Sequence, residues 1–135
     1  MDAFTLVAPQ TYRDLGMPYQ QNLLDLFGGG HMHMHGTQLY QLLPSVAELR
    51  GLISIELGDD ALRPGDPVPI ENLAFIQDEV TGEIPLYLHC TRDQFVKGLK
   101  RKTLRGGIHY CVRGFESVAE ANSLVARARD YAPRT

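Results

Sequence analysis

Gly28-Gly29-Gly30-His31-Met32-His33-Met34-His35-Gly36 is the stretch on which the reading of this chain turns. Histidine and methionine alternate with the period of a β-strand, which sends three imidazoles to one face and two thioethers to the other. The glycines on either side punctuate the run, so it reads as a short strand entered and left by turns. Three imidazoles on one face suit a bound metal ion, since neutral imidazole is the commonest protein metal ligand. The plainer alternative is a surface strand whose histidines face water.

Outward from that strand, apolar segments and helical patterns alternate. Upstream, Phe4–Val7 is a short apolar run ended by Ala8-Pro9, and Pro18 can sit in the first turn of a helix running to about Phe27. Downstream, Thr37 is a possible N-cap for a helix through Leu49, which Pro44 should bend or split. Leu52–Leu57 (LISIEL) reads as a second strand, and the proline- and glycine-bearing stretch Gly58–Pro69 as a loop. A weaker helix is expected over Glu71–Glu79, a strand over Ile84–Cys90, and a helix from Arg92 to about Leu104 capped by Thr91. Ile108–Val112 forms the last strand. Ser117 and Glu120 make a capping box for a helix that stops before Pro133.

About five short strands interleaved with helices point to an α/β fold with a parallel sheet, either an open doubly wound sheet or part of a (β/α)8 TIM barrel. A closed barrel needs roughly 200 residues or more, and this chain has 135, enough for one domain with its own core.

Composition narrows the function classes. The chain is 44% hydrophobic and 21% charged, as soluble globular proteins are. Its formal net charge of -3 argues against a general nucleic-acid binder, and no apolar run approaches the ~20 residues of a membrane span. Cys90 and Cys111 make no disulfide framework; with no signal-peptide pattern at the start, the expectation is a cytoplasmic protein with reduced thiols.

In parallel α/β sheets the chemistry sits at the carboxyl ends of the strands. Four ligand-type residues fall there: His33 and His35, Glu56 and Cys111. Each taken singly has an ordinary explanation, a hydrated carboxylate for Glu56 and a small buried thiol for Cys111. Taken together they are donors that tetrahedral zinc accepts. A His89–Cys90 nucleophile pair is disfavoured, because adjacent strand residues face opposite ways; Cys90 could instead be an additional ligand. The basic segment Arg92, Lys97, Lys100, Arg101, Lys102 and Arg105 offers charge that phosphate or nucleic acid would take; the plainer reading is a solvated helix face with cations near its C-terminus.

The segments LVAPQTYRDLGMPY, GGGHMHMHG, LISIEL and GGIHYCVRG followed by F-ESVAEANSLVARA resemble the C-terminal half of the uroporphyrinogen decarboxylase superfamily, which is similar in turn to the catalytic barrel of cobalamin-independent methionine synthase. Zinc-dependent methyltransferases of that superfamily carry His-x-Cys-Gly on one strand and a distant cysteine near the last. His33-Met34-His35-Gly36 matches the first element with His35 in the cysteine position, and Cys111 matches the second. Glu56 matches the glutamate that the methionine synthase relatives present to zinc.

The resemblance implies a domain over 1–135 forming the C-terminal part of such a barrel. It further implies zinc held by His33, His35, Glu56 and Cys111, with Glu56 the ligand that substrate displaces and His31 supporting or replacing a ligand. The implied reaction is methyl transfer from a methyl-corrinoid or similar donor to a thiol, the partners being a small thiol or a methyl-corrinoid protein. A second copy or another chain would complete the barrel. Two departures stand out. The arginine-rich amino-terminal tetrapyrrole site has no counterpart in these residues, and His109-Tyr110-Cys111 replaces the Gly-His-Gly of the decarboxylases. A metal-free decarboxylase-like protein acting on a tetrapyrrole is therefore the second expectation, and a non-catalytic metal-binding or structural subunit the third.

Overall fold

A computed structural model describes residues 7–36, 39–59, 65–80 and 84–132. The elements alternate: α1 (Pro9–Thr11), a π-turn (Tyr12–Gly16), α2 (Met17–Phe27), β1 (Gly30–Met34), α3 (Leu39–Ala47), β2 (Leu52–Leu57), a 3-10 turn (Pro69–Glu71), α4 (Leu73–Glu79), β3 (Leu86–Thr91), α5 (Arg92–Arg101), β4 (Ile108–Arg113) and α6 (Val118–Arg129). The four strands make one parallel sheet in the order β1-β2-β3-β4, so every strand lies beside its neighbour in sequence. The class is α/β with a parallel sheet, as expected. Of the expected first strand, Phe4–Leu6 lie outside the described residues and Val7 stands in a bend, so the described sheet has four strands.

The alternation in β1 places its side chains as the His-Met pattern requires. Met32 and Met34 are buried, while His31 and His33 are exposed. Ile55 and Leu57 of β2 and Leu86, Leu88 and Cys90 of β3 continue the apolar face. Leu39, Leu42, Leu43 and Val46 of α3, Leu73 and Ile76 of α4, Phe95 of α5 and Leu124 of α6 belong to the same core. In β2 the register slips between Gly30 and His31: Gly30 pairs with Leu52 and His31 with Ser54. Ile53 is the extra residue of this bulge and is 52% exposed despite its aliphatic side chain.

Helix boundaries differ from expectation where proline and tertiary packing intervene. Pro18 does sit in the first turn of α2, but helical backbone reaches back to Pro9 through the π-turn. Proline has no N–H for the i-4 carbonyl, and the ladder changes pitch immediately before it. Pro44 does not split α3, which runs through it; the carbonyl it leaves without a helical donor belongs to the exposed Tyr40. The expected cap Thr37 lies outside the described residues. Thr91 caps α5 with a complete capping box: its side chain accepts from the Gln94 N–H and the Gln94 side chain accepts from the Thr91 N–H.

At α6 only half of the expected box forms. Ser117 Oγ accepts from the Glu120 N–H, but the Glu120 carboxylate accepts from the Glu116 N–H and pairs with Arg92.

α5 ends at Arg101, earlier than the expected Leu104, with Lys102 in the left-handed conformation (φ 56°). Leu104 folds back against Gly98: a Cβ there would lie 2.4 Å from a Leu104 methyl, so a side chain at 98 would force the buried Leu104 to shift.

Candidate functional site: an imidazole-lined sheet face

The face of the sheet opposite the core is polar. The parallel register puts His33, Glu56, Tyr87 and His109 in one row across all four strands. His31 and Ser54 pair one step below it, and His89 and Cys111 pair one step above. The chain has five histidines. Four stand at strand positions on this face, and the fifth, His35, follows β1 with its ring edge-on to that of His33 at 5.0 Å. Parallel sheets are ordinarily apolar on both faces because helices cover both. Here Tyr87 is 38% exposed, and the side chains of His33, Glu56 and His89 are 45%, 39% and 35% exposed.

Glu56 is the hub. Its Oε2 lies 3.1 Å from His33 Nδ1 on β1, and its Oε1 lies 2.6 Å from His89 Nε2 on β3. The hydrogen bond from His33 holds the Glu56 carboxyl below its ordinary range; partial burial opposes this, and the bond from His89 adds to it. An ionised carboxylate only accepts, so both ring nitrogens facing it carry hydrogen. That fixes the rings: when neutral, His33 presents Nε2 and His89 presents Nδ1 as lone-pair donors. A carboxylate oriented in this way toward two imidazoles supports either proton uptake by a ring or metal binding through it.

The neighbouring groups extend the row. The Tyr87 and His109 rings stack with centroids 4.7 Å apart at 14°. His31 Nδ1 lies 2.6 Å from Ser54 Oγ, which satisfies the buried Ser54 hydroxyl. Arg113 pairs with the nearly buried Asp59 at the carboxyl end of β4, 2.7 Å apart.

Of the four residues singled out from the sequence, His33 and Glu56 are in direct contact, and His35 packs against His33. Cys111 stands on the same face beside His89, half-buried, with β3 between it and Glu56. Among the described residues no group of three or more His, Cys, Asp or Glu is arranged to hold a metal ion. By type the imidazoles of His33 and His35 fit zinc, but Cys111 on β4 stands three strand spacings, ~14 Å, from β1, too far to share one ion with them. Glu56, with both oxygens engaged by ring N–H groups, orients donors as it stands. Cys90 lies on the opposite face, fully buried among aliphatic side chains, and burial pushes its thiol up to about 12. It is not part of this face.

His89 is a residue that sequence alone does not single out, since its chain neighbour Cys90 faces the other way. Its period-2 relation to Tyr87 in LYLHCT marked it as sharing that residue's face, but its meeting with Glu56 depends on the cross-strand register.

Comparison with family models, with curated protein sequences and with solved structures finds no match for this chain.

Proposed function

We propose that this chain carries the thiol-activating face of a methyl-transfer enzyme, built on part of a (β/α)8-type barrel. The observation that supports it is Glu56 hydrogen-bonded to both His33 and His89 at the centre of an open imidazole face. A thiol is a poor nucleophile until it loses its proton. An imidazole backed by a carboxylate takes up that proton and has its new charge stabilised, the role His89 is placed to play beside Glu56. The thiolate then attacks the methyl carbon of a methyl-corrinoid or similar donor. The S–C bond of a thioether forms as the bond from methyl to the donor breaks, its electron pair leaves with the donor (as Co(I) in a corrinoid), and the thiol proton stays on the ring. Zinc bound through the imidazoles of His33 and His35, neighbours at the end of β1, would lower the pKa of a thiol that joined it. Tyr87 and His109 extend the row along which a flat donor could lie.

The test is metal analysis of untagged protein, paired with a thiol-methylation assay using methylcobalamin and 2-mercaptoethanol. About one zinc per chain, lost in His33→Ala and His35→Ala, with methyl transfer abolished in Glu56→Ala, supports the reading. Folded protein that holds no zinc and transfers no methyl group overturns it in favour of a decarboxylase-like protein. Zinc held without methyl transfer favours a metal-binding subunit.

A further inference from the structure

A concavity lies away from the imidazole face. It has a volume of about 710 Å³ and runs along α5 from Gln94 to Arg101, between that helix and the turn and helix at 69–79. Its wall is cationic: Lys97, Arg101, Lys102 and Arg105 line it against the single acid Glu71. Lys97 is already paired with Glu71 at 2.6 Å. Among the described residues, the side chains of Arg101, Lys102 and Arg105 make no ion pair or hydrogen bond. Three uncompensated cations around one concavity are notable in a chain with a formal net charge of -3. Buried Leu73 and Leu104 supply an apolar floor, and Thr103 adds a hydroxyl.

Cations near a helix C-terminus are favoured by the helix dipole, which accounts for Lys100 and Arg101. It does not account for Arg105, four residues past the helix, and although it favours the charge of Lys102 at the C-cap, it does not account for a residue other than glycine in that backbone conformation. Lys102 is the one described non-glycine residue with positive φ, a conformation that costs an L-residue about 1–2 kcal/mol relative to the right-handed one. The Gly98 and Leu99 carbonyls at the end of α5 accept from the N–H groups of Lys102 and Thr103, so they are not left facing the concavity unpaired.

We infer that this concavity binds a phosphate-bearing small molecule, with Arg101, Lys102 and Arg105 holding the phosphates and the Leu73–Leu104 floor taking an apolar portion. Its volume is that of a small-molecule pocket, where a nucleic acid or a lipid surface would call for an extended or flat basic patch. The fork of arginine suits phosphate oxygens in pairs. The site is separate from the imidazole face and does not depend on the function proposed for it.

Pyrophosphate titrated into the full chain by calorimetry is the test. The expected result is saturable one-to-one binding, weakened about tenfold by Arg101→Gln and by Arg105→Gln. Lys102→Gly is the decisive variant, because it relieves the left-handed backbone and so raises thermal stability while weakening pyrophosphate binding. Lys100→Gln, on the same helix but outside the concavity, should leave binding unchanged. Binding that survives Lys102→Gly and Arg105→Gln, or that falls equally with Lys100→Gln, overturns the proposal. So does the absence of pyrophosphate binding, whether or not the chain binds vesicles of anionic phospholipid or a single-stranded oligonucleotide.

Discussion

His89 Nε2 lies 2.6 Å from Glu56 Oε1, a contact that ties β3 to β2 on the open face while the second oxygen of the same carboxylate reaches His33 on β1. One side chain thus sets the orientation of two rings on the strands flanking its own. Glu56→Gln keeps the shape but offers only one acceptor oxygen, so one ring must turn or change tautomer. The expected outcome is a 10–100-fold loss of zinc affinity, read by competition with a chromophoric chelator. Stability should fall by less than ~1 kcal/mol, because the pair is partly exposed and screened. A marked drop in stability with zinc affinity unchanged would show the carboxylate to be structural.

The two faces of β1 should respond oppositely to truncation. Met34 is 1% exposed and packed in the core; Met34→Ala is expected to cost about 2–5 kcal/mol in urea unfolding. His33→Ala, on the open face, should cost less than ~1 kcal/mol. Equal costs would mean that the imidazole face is covered in solution.

The two thiols should separate kinetically. Cys111 is half-buried on the polar face and Cys90 fully buried in the core. A chromogenic disulfide reagent should therefore modify one thiol promptly and the second only in denaturant, with Cys111→Ser abolishing the prompt phase.

Alkaline pH should unfold this protein by a route that passes through its core. Burial raises Cys90 from 9.0, and Tyr12 and Tyr110 from 10.0, each to about 12. A group raised in the folded state binds its proton more tightly there than in the unfolded chain. Its contribution is therefore complete below the unfolded value and is lost as pH climbs through the folded one. Stability should be level up to about pH 9 and decline between pH 9 and 12. Cys90→Ala removes the earliest of the three, and its denaturation profile should hold level for about one further pH unit. An unaltered onset in that variant would assign the decline elsewhere.

Thr91 closes both halves of a capping box at the start of α5. Thr91→Ala should cost ~1 kcal/mol, and Thr91→Ser should restore most of it. Thermal unfolding of the three proteins side by side measures both.

The local alternations were readable from the chain alone: Met32 and Met34 inward, histidines outward, Thr91 before a helix, five histidines on strand-like stretches. What depends on two strands at once was not. The bulge at Ile53 exists because Gly30 and His31 meet β2 at different steps, and nothing in LISIEL announces it. The contact between His89 and Glu56 likewise follows from the offset of β3 against β2, so a ligand set ordered by sequence spacing named Cys111 where the register brings His89 closest. The helical start at Pro9 was hidden by Pro18, whose missing N–H reads as a beginning when a change of pitch can absorb it. The box motif is local and points Glu120 back to Ser117, whereas its carboxylate is engaged by the Glu116 N–H and by Arg92 from another helix.

The sheet order β1-β2-β3-β4 carries a consequence for how this chain comes together. Each strand finds its partner one helix away, so no segment must wait for a distant one before it can pair, and loop closures stay short. Assembly can then proceed by accretion, one strand-and-helix unit onto the last. By the same logic a unit added beyond β4 would extend the sheet without disturbing any existing pairing, which makes this architecture tolerant of growth by duplication.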